Sequence, residues 1–139
     1  MRIEFSLSLE PAAKGRPKVM VNPKTGKPIV YTPKKTARFE AKVAAMAQQY
    51  FPEPFRGAVG IRLKFLMPRP KRLMRVRDPD GEVPHVSRPD LDNLEKAIID
   101  GLNGVAFLDD RQVYAKRSEK VYHAKNGFPQ VLVAVEEIQ

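Results

Sequence analysis

The stretch from Arg88 to Asp110 reads RPDLDNLEKAIIDGLNGVAFLDD. Leu91, Leu94, Ile98 and Leu102 recur at helical spacing, which predicts a helix over roughly 90–102 with one apolar stripe for a core. Gly101 and Gly104 mark its end. Asp92, Lys96 and Asp100 lie at successive i,i+4 positions on the opposite stripe. Asp90 follows Pro89 and is placed at the N-cap, where non-helical backbone lets its carboxylate turn toward the side of Asp92. Asp109 and Asp110 follow a loop short enough to fold back toward the helix.

Outward from this segment the pattern changes period. Ile3, Phe5, Leu7 and Leu9 alternate with polar residues, the mark of a half-buried strand. Lys18–Val21 and Pro28–Tyr31 are short β-prone pieces separated by the turn signals Asn22-Pro23 and Thr25-Gly26, a small basic hairpin. Thr32 reads as an N-cap with Pro33 at the first helical position, and Phe39, Val43, Met46 and Tyr50 share one helical face. Pro52 and Pro54 stop that helix near Phe51. Alternation returns over Ala58–Met67. Residues 68–88 have four prolines, with a fifth following at Pro89, many basic side chains and no periodicity, and read as a mobile basic loop. Two strands, about Gln112–Tyr122 and Gln130–Ile138, close the chain around an Asn126-Gly127 turn. The expected architecture is α+β: a mixed β-sheet with two main helices packed on it, one compact domain spanning 1–139.

Composition narrows the function. Residues 1–88 hold 19 Lys and Arg against 7 Asp and Glu, whereas residues 89–139 hold 6 against 9. A basic platform of this kind suits a nucleic-acid backbone. No cysteine is present, which excludes disulfides and thiolate zinc sites. The N-terminus has no apolar run long enough for a signal peptide or a membrane span, so a cytoplasmic location is expected.

An acidic cluster in a basic chain fits a divalent cation held against phosphate. Hard cations take carboxylate oxygens, and gathered carboxylates repel one another unless a cation or proton intervenes. Lys96 is suited to offset charge on a reacting phosphoryl group. The plainer alternatives are an N-cap at Asp90, a surface Asp92–Lys96 pair and a turn at Asp109-Asp110.

Arg88-Pro89-Asp90-Leu91-Asp92-Asn93-Leu94-Glu95-Lys96, followed by Asp109-Asp110-Arg111-Gln112-Val113, resembles the RusA family of Holliday junction resolvases. Lys14-Gly15-Arg16-Pro17 and Tyr31-Thr32-Pro33 are similar to the family's opening. The resemblance implies a small homodimeric endodeoxyribonuclease of bacterial, phage or prophage origin, using Mg2+ (with Mn2+ as a substitute) to resolve four-way DNA junctions in recombination and repair. It implies catalytic roles for Asp90, Asp92, Asp110 and Lys96, and metal ligation by Asp90, Asp92 and Asp110 with Asp109 beside them. Arg16, Lys18, Arg69, Lys71, Arg72, Arg75, Arg77 and Arg88 are the candidate contacts to the DNA backbone. A non-catalytic nucleic-acid-binding module and a metal nuclease acting on RNA or flaps are the competing readings.

Overall fold

Alternating apolar residues build the sheet, and the two helical stripes cover one side of it. The computed structural model describes residues 1–138. In chain order the elements are β1 (Arg2–Leu7), β2 (Lys18–Val21), β3 (Pro28–Tyr31), α1 (Lys34–Ala47), β4 (Ala58–Met67), β5 (Val83–Pro84), α2 (Leu91–Leu102), β6 (Val113–Tyr122) and β7 (Gln130–Ile138). Five strands form one mixed sheet in the order β1-β7-β4-β6-β5, with β4 and β6 parallel and the other neighbours antiparallel. β2 and β3 pair separately as a hairpin. The fold is α+β, as expected.

Each strand sends alternate side chains inward. Val59, Ile61, Leu63, Phe65 and Met67 of β4 are buried with Val131, Val133 and Val135 of β7 and Phe5 and Leu7 of β1. Leu94, Ile98 and Leu102 of α2 and Val43 of α1 close this core from the helical side. The helices meet where Gly101 faces Val43. A Cβ on Gly101 would stand 2.8 Å from Val43 Cβ, so only glycine allows this approach. The other sheet face carries Arg62, Lys64, Arg117, Glu119 and Ala134.

Several expectations shift in detail. The first strand ends at Leu7, although Leu9 is still buried. Pro33, not Thr32, is the N-cap of α1, and no side chain caps that end. The helix gives way to a 3-10 turn at Gln48–Tyr50, where Tyr50 stacks on Phe5 with ring centroids 4.7 Å apart.

The largest correction concerns residues 68–88, which are not a structureless loop. Arg69 lies at their centre, buried. Its Nε donates to Leu73 O (2.9 Å), Nη1 to Gly81 O (2.7 Å) and His123 O (3.2 Å), and Nη2 to Pro79 O (2.5 Å). Lys125 adds bonds to the carbonyls of Arg75 and Asp78. The segment then joins the sheet through β5. A guanidinium saturated by backbone carbonyls satisfies groups that burial would otherwise orphan.

Candidate active site

The helix α2 and the start of β6 form the walls of a cleft of about 570 Å3. Asp92, Lys96 and Asp100 line it from α2, and Asp110, Tyr114 and Lys116 from the other side. The structure thus brings together Asp92, Lys96 and Asp110. Lys96 is exposed and makes no ion pair among the described residues, which leaves its ammonium free for a ligand.

Asp90 stands apart from this lining. It occupies the N-cap of α2 in extended backbone (φ −67°, ψ 147°), is exposed, and makes no side-chain capping bond. It lies two residues before Asp92, the first residue of α2 that lines the cleft.

Asp109 and Asp110 divide their work. Asp109 caps a 3-10 turn at Asp110–Gln112: its Oδ1 accepts from the Arg111 amide at 3.0 Å, and its own amide donates to Gln112 Oε1 at 2.8 Å. Gln112 in turn donates to the carbonyls of Phe55 and Gly57, fixing the turn to the edge of β4. The Arg111 amide, then the hydrogen bond with Asp110, hold the Asp109 carboxyl below its ordinary 3.8. The same bond, some loss of hydration, and the charges of Asp109 and Asp100 push Asp110 upward. The upward push at Asp110 marks a place where negative charge is crowded.

Asp100 is committed elsewhere. It forms an ion pair with Lys14 Nζ, which also reaches Glu40 Oε1 at 3.1 Å. Burial pulls the Lys14 ammonium down, but hydrogen bonds to Asp100 and Glu40 outweigh it and hold it above its ordinary 10.5. The Lys14 amide donates to Asn93 O and the Gly15 amide to Thr36 Oγ1, so the Lys14–Pro17 segment is fastened to both helices.

Glu95 is buried at the base of the cleft. Its carboxylate accepts from Ser118 Oγ and pairs with Lys116 Nζ at 2.6 Å, joining α2 to β6. Buried charge of this kind needs such partners. Glu95 and Lys14 are site residues that the acidic motif alone does not reveal. Glu95 has a local signal, being four residues from both Leu91 and Ile99 on the edge of the apolar stripe. Lys14 and Asp100 are separated by 86 positions, and no local pattern links them.

A family model, endodeoxyribonuclease RusA, matches residues 8–136. The chain belongs to the RusA family. It is also 31% identical to the uncharacterized protein YqaN of Bacillus subtilis (strain 168), over 98% of this chain and 96% of that protein. Membership of that family makes this chain a nuclease, and Asp92, Lys96 and Asp110 of the motif read from its sequence line the cleft between α2 and β6.

The expected backbone contacts of this RusA-family chain fall into distinct settings. Arg16 and Lys18 line a separate groove of about 930 Å3 with Pro33, Phe39 and Pro89, the residue before Asp90. Arg88 is exposed next to Asp90. Lys71, Arg72, Arg75 and Arg77 are exposed on the segment after β4, with Arg75 paired to Asp78 at 3.2 Å and Arg72 Nη2 donating to Tyr122 Oη at 3.4 Å. Arg69 is the exception: its inward bonds make it the organiser of that segment rather than a contact to phosphate. No helix is long and apolar enough to cross a membrane among the described residues.

Proposed function

We propose that this protein is a homodimeric, Mg2+-dependent endonuclease that resolves four-way DNA junctions by paired phosphodiester hydrolysis. Its setting would be recombination and repair in the cytoplasm of a bacterial or phage-infected cell. The observation that carries this reading is the meeting of Asp92, Lys96 and Asp110 in one cleft of a RusA-family chain.

The donor chemistry fits a hard cation. Carboxylates stand on both walls, and a divalent ion would offset the negative charge crowded at Asp110. Among the described residues no three His, Cys, Asp or Glu side chains are gathered closely enough to enclose an ion. The three-carboxylate set expected from the sequence is therefore not assembled here; Mg2+ would rest on one or two carboxylates, with waters and phosphate oxygens completing its shell. Asp92 and Asp110 would hold it, with Asp90 two residues before Asp92 and Asp109 fixing Asp110 from behind. When bound, the ion supplies Lewis acidity and makes hydroxide accessible near neutral pH.

The chain's own groups do the rest. Lys96 offsets the negative charge that builds on the phosphoryl oxygens as the bond to the leaving group lengthens. Glu95, held by Ser118 and Lys116, keeps the two walls at a fixed separation. Arg16, Lys18 and Arg88 grip the backbone, which fixes register without reading sequence. A two-fold dimer presents two identical clefts to two symmetry-related strands, so cuts occur in pairs.

Incubating the protein with four-way junction, linear duplex, flap and RNA substrates in Mg2+ tests this reading. Symmetrical nicks in the junction, with the other substrates spared, are the expected result. Duplex cut as fast as the junction removes the structural selectivity, preferential flap or RNA cleavage changes the substrate class, and binding without cleavage makes the protein a binding module. Sedimentation at working concentration should give a dimer; a monomer that still makes paired cuts contradicts that part.

A further inference from the structure

Asp90 has a problem that its neighbours do not share. Its carboxylate makes no capping bond, and the residue is exposed, so nothing on the side chain itself fixes where it points. Its position depends on the two peptide planes that meet at its Cα. The plane after it is held by the helix, because Asp90 O accepts from the Leu94 amide at 3.2 Å. The plane before it contains the Pro89 carbonyl and the Asp90 amide, which are rigidly coupled.

That earlier plane is held by a lysine. Lys120, half-buried on β6, donates from Nζ to Pro89 O at 2.7 Å and to Ser87 O at 2.5 Å. Charge-assisted bonds of this type are stronger than neutral ones. The same stretch of β6 guides the chain toward Asp90. Val83 and Pro84 pair with Tyr122 and Val121, the His85 amide donates to Lys120 O at 3.2 Å, and Ser87 Oγ lies 3.4 Å from Tyr122 Oη.

We infer that Lys120 is a positioning residue, which holds the backbone of residues 87–89 and so sets where Asp90, two residues before the cleft-lining Asp92, is presented to a bound cation; this role rests on the cation site proposed above. Lys120 spends two of its three donors on carbonyls, so it differs from the surface lysines that meet phosphate directly.

The test uses the full chain with Lys120→Met and Lys120→Arg. Three quantities are measured: hydrogen exchange over residues 86–92, Mn2+ affinity by titration calorimetry, and single-turnover junction cleavage at saturating DNA. For Lys120→Met the exchange should quicken, and Mn2+ affinity and cleavage rate should each fall by about tenfold or more, as for groups that orient metal ligands. Junction affinity without divalent ion should hold. Lys120→Arg, which keeps the charged donor, should recover part of each loss. Unchanged exchange in Lys120→Met overturns the inference, because the backbone is then held by something else. Faster exchange with unchanged Mn2+ affinity and rate overturns it too, because the anchor then has no bearing on Asp90. Weaker junction affinity at an unchanged saturated rate makes Lys120 a phosphate contact instead. A wild-type chain that binds no Mn2+ shows that the cation reading itself has failed, whereas the exchange rates report on the backbone anchor independently of any metal.

Discussion

Asp109 and Asp110 are adjacent in sequence and differ in what they do. Asp109 is occupied with the Arg111 amide and so belongs to the turn, whereas Asp110 lines the cleft. Asp109→Ala should therefore lower the midpoint of urea unfolding, as the loss of a cap does. Asp110→Ala should leave unfolding nearly unchanged or raise its midpoint, because it relieves like-charge crowding. A larger stability loss for Asp110→Ala would reverse the assignment. His85 offers a second check. It is buried, its Nδ1 has no hydrogen-bond partner, and its ring lies 4.7 Å from that of Tyr122. Burial first, then the charge of Lys120, lower its pKa from 6.5. The folded state thus prefers neutral His85. Its contribution to stability is whole above pH 6.5, and it is lost as pH falls from there toward the depressed folded value, since the unfolded chain takes up the proton first. His85→Phe should flatten the stability profile on that acid side; an unchanged profile would mean that His85 does not contribute to it.

At the scale of elements, the α1–α2 contact sets the back of the site. Gly101→Ala would push a methyl against Val43 and toward Glu40 O, 3.2 Å from the added Cβ. Overpacking of this kind costs about 1–3 kcal/mol, readable as a lower thermal midpoint, and should slow cleavage by shifting the stripe that carries Asp92 and Lys96. A neutral Gly101→Ala would mean that the helices separate freely. The same elements show why some of the fold is legible in sequence. β4 and β7 fall at the boundaries that alternation predicts, because strand alternation is local. The stripe of Leu94, Ile98 and Leu102 is equally plain and faces the core. The start of α1 lies one residue from its expected place, because Thr32 and Pro33 both carry starting signals and Pro33 takes the cap. Residues 68–88 escape a local reading, because Arg69 is bonded to carbonyls as far away as His123, and such bonds leave no periodic trace. For the site, the acidic motif marks the cleft, but its supports leave no motif. Glu95 with Ser118, Lys14 with Asp100 and Lys120 with Pro89 are pairs made by tertiary folding, between residues distant in sequence.

The whole molecule sets a basic approach around an acidic cleft. Arg16 and Lys18 line the groove that also holds Pro89, and Lys71, Arg72 and Arg77 are exposed on the segment that Arg69 organises. Charge reversal at Arg77 should weaken junction binding at low salt and reduce the slope of log affinity against log salt by about 1, as expected for one lost phosphate contact. An unchanged slope would place that segment outside the interface. Everything in the proposed chemistry depends on the cleft between α2 and β6 hydrolysing DNA through its carboxylates. Cleavage of a synthetic four-way junction in Mg2+ by Asp92→Asn and by Asp110→Asn, with junction affinity measured in parallel, decides this. Each variant should lose cleavage by about a thousandfold or more, a loss of roughly 4 kcal/mol in transition-state stabilisation, while still binding the junction. Wild-type cleavage rates in both variants would show that the reaction takes place somewhere else.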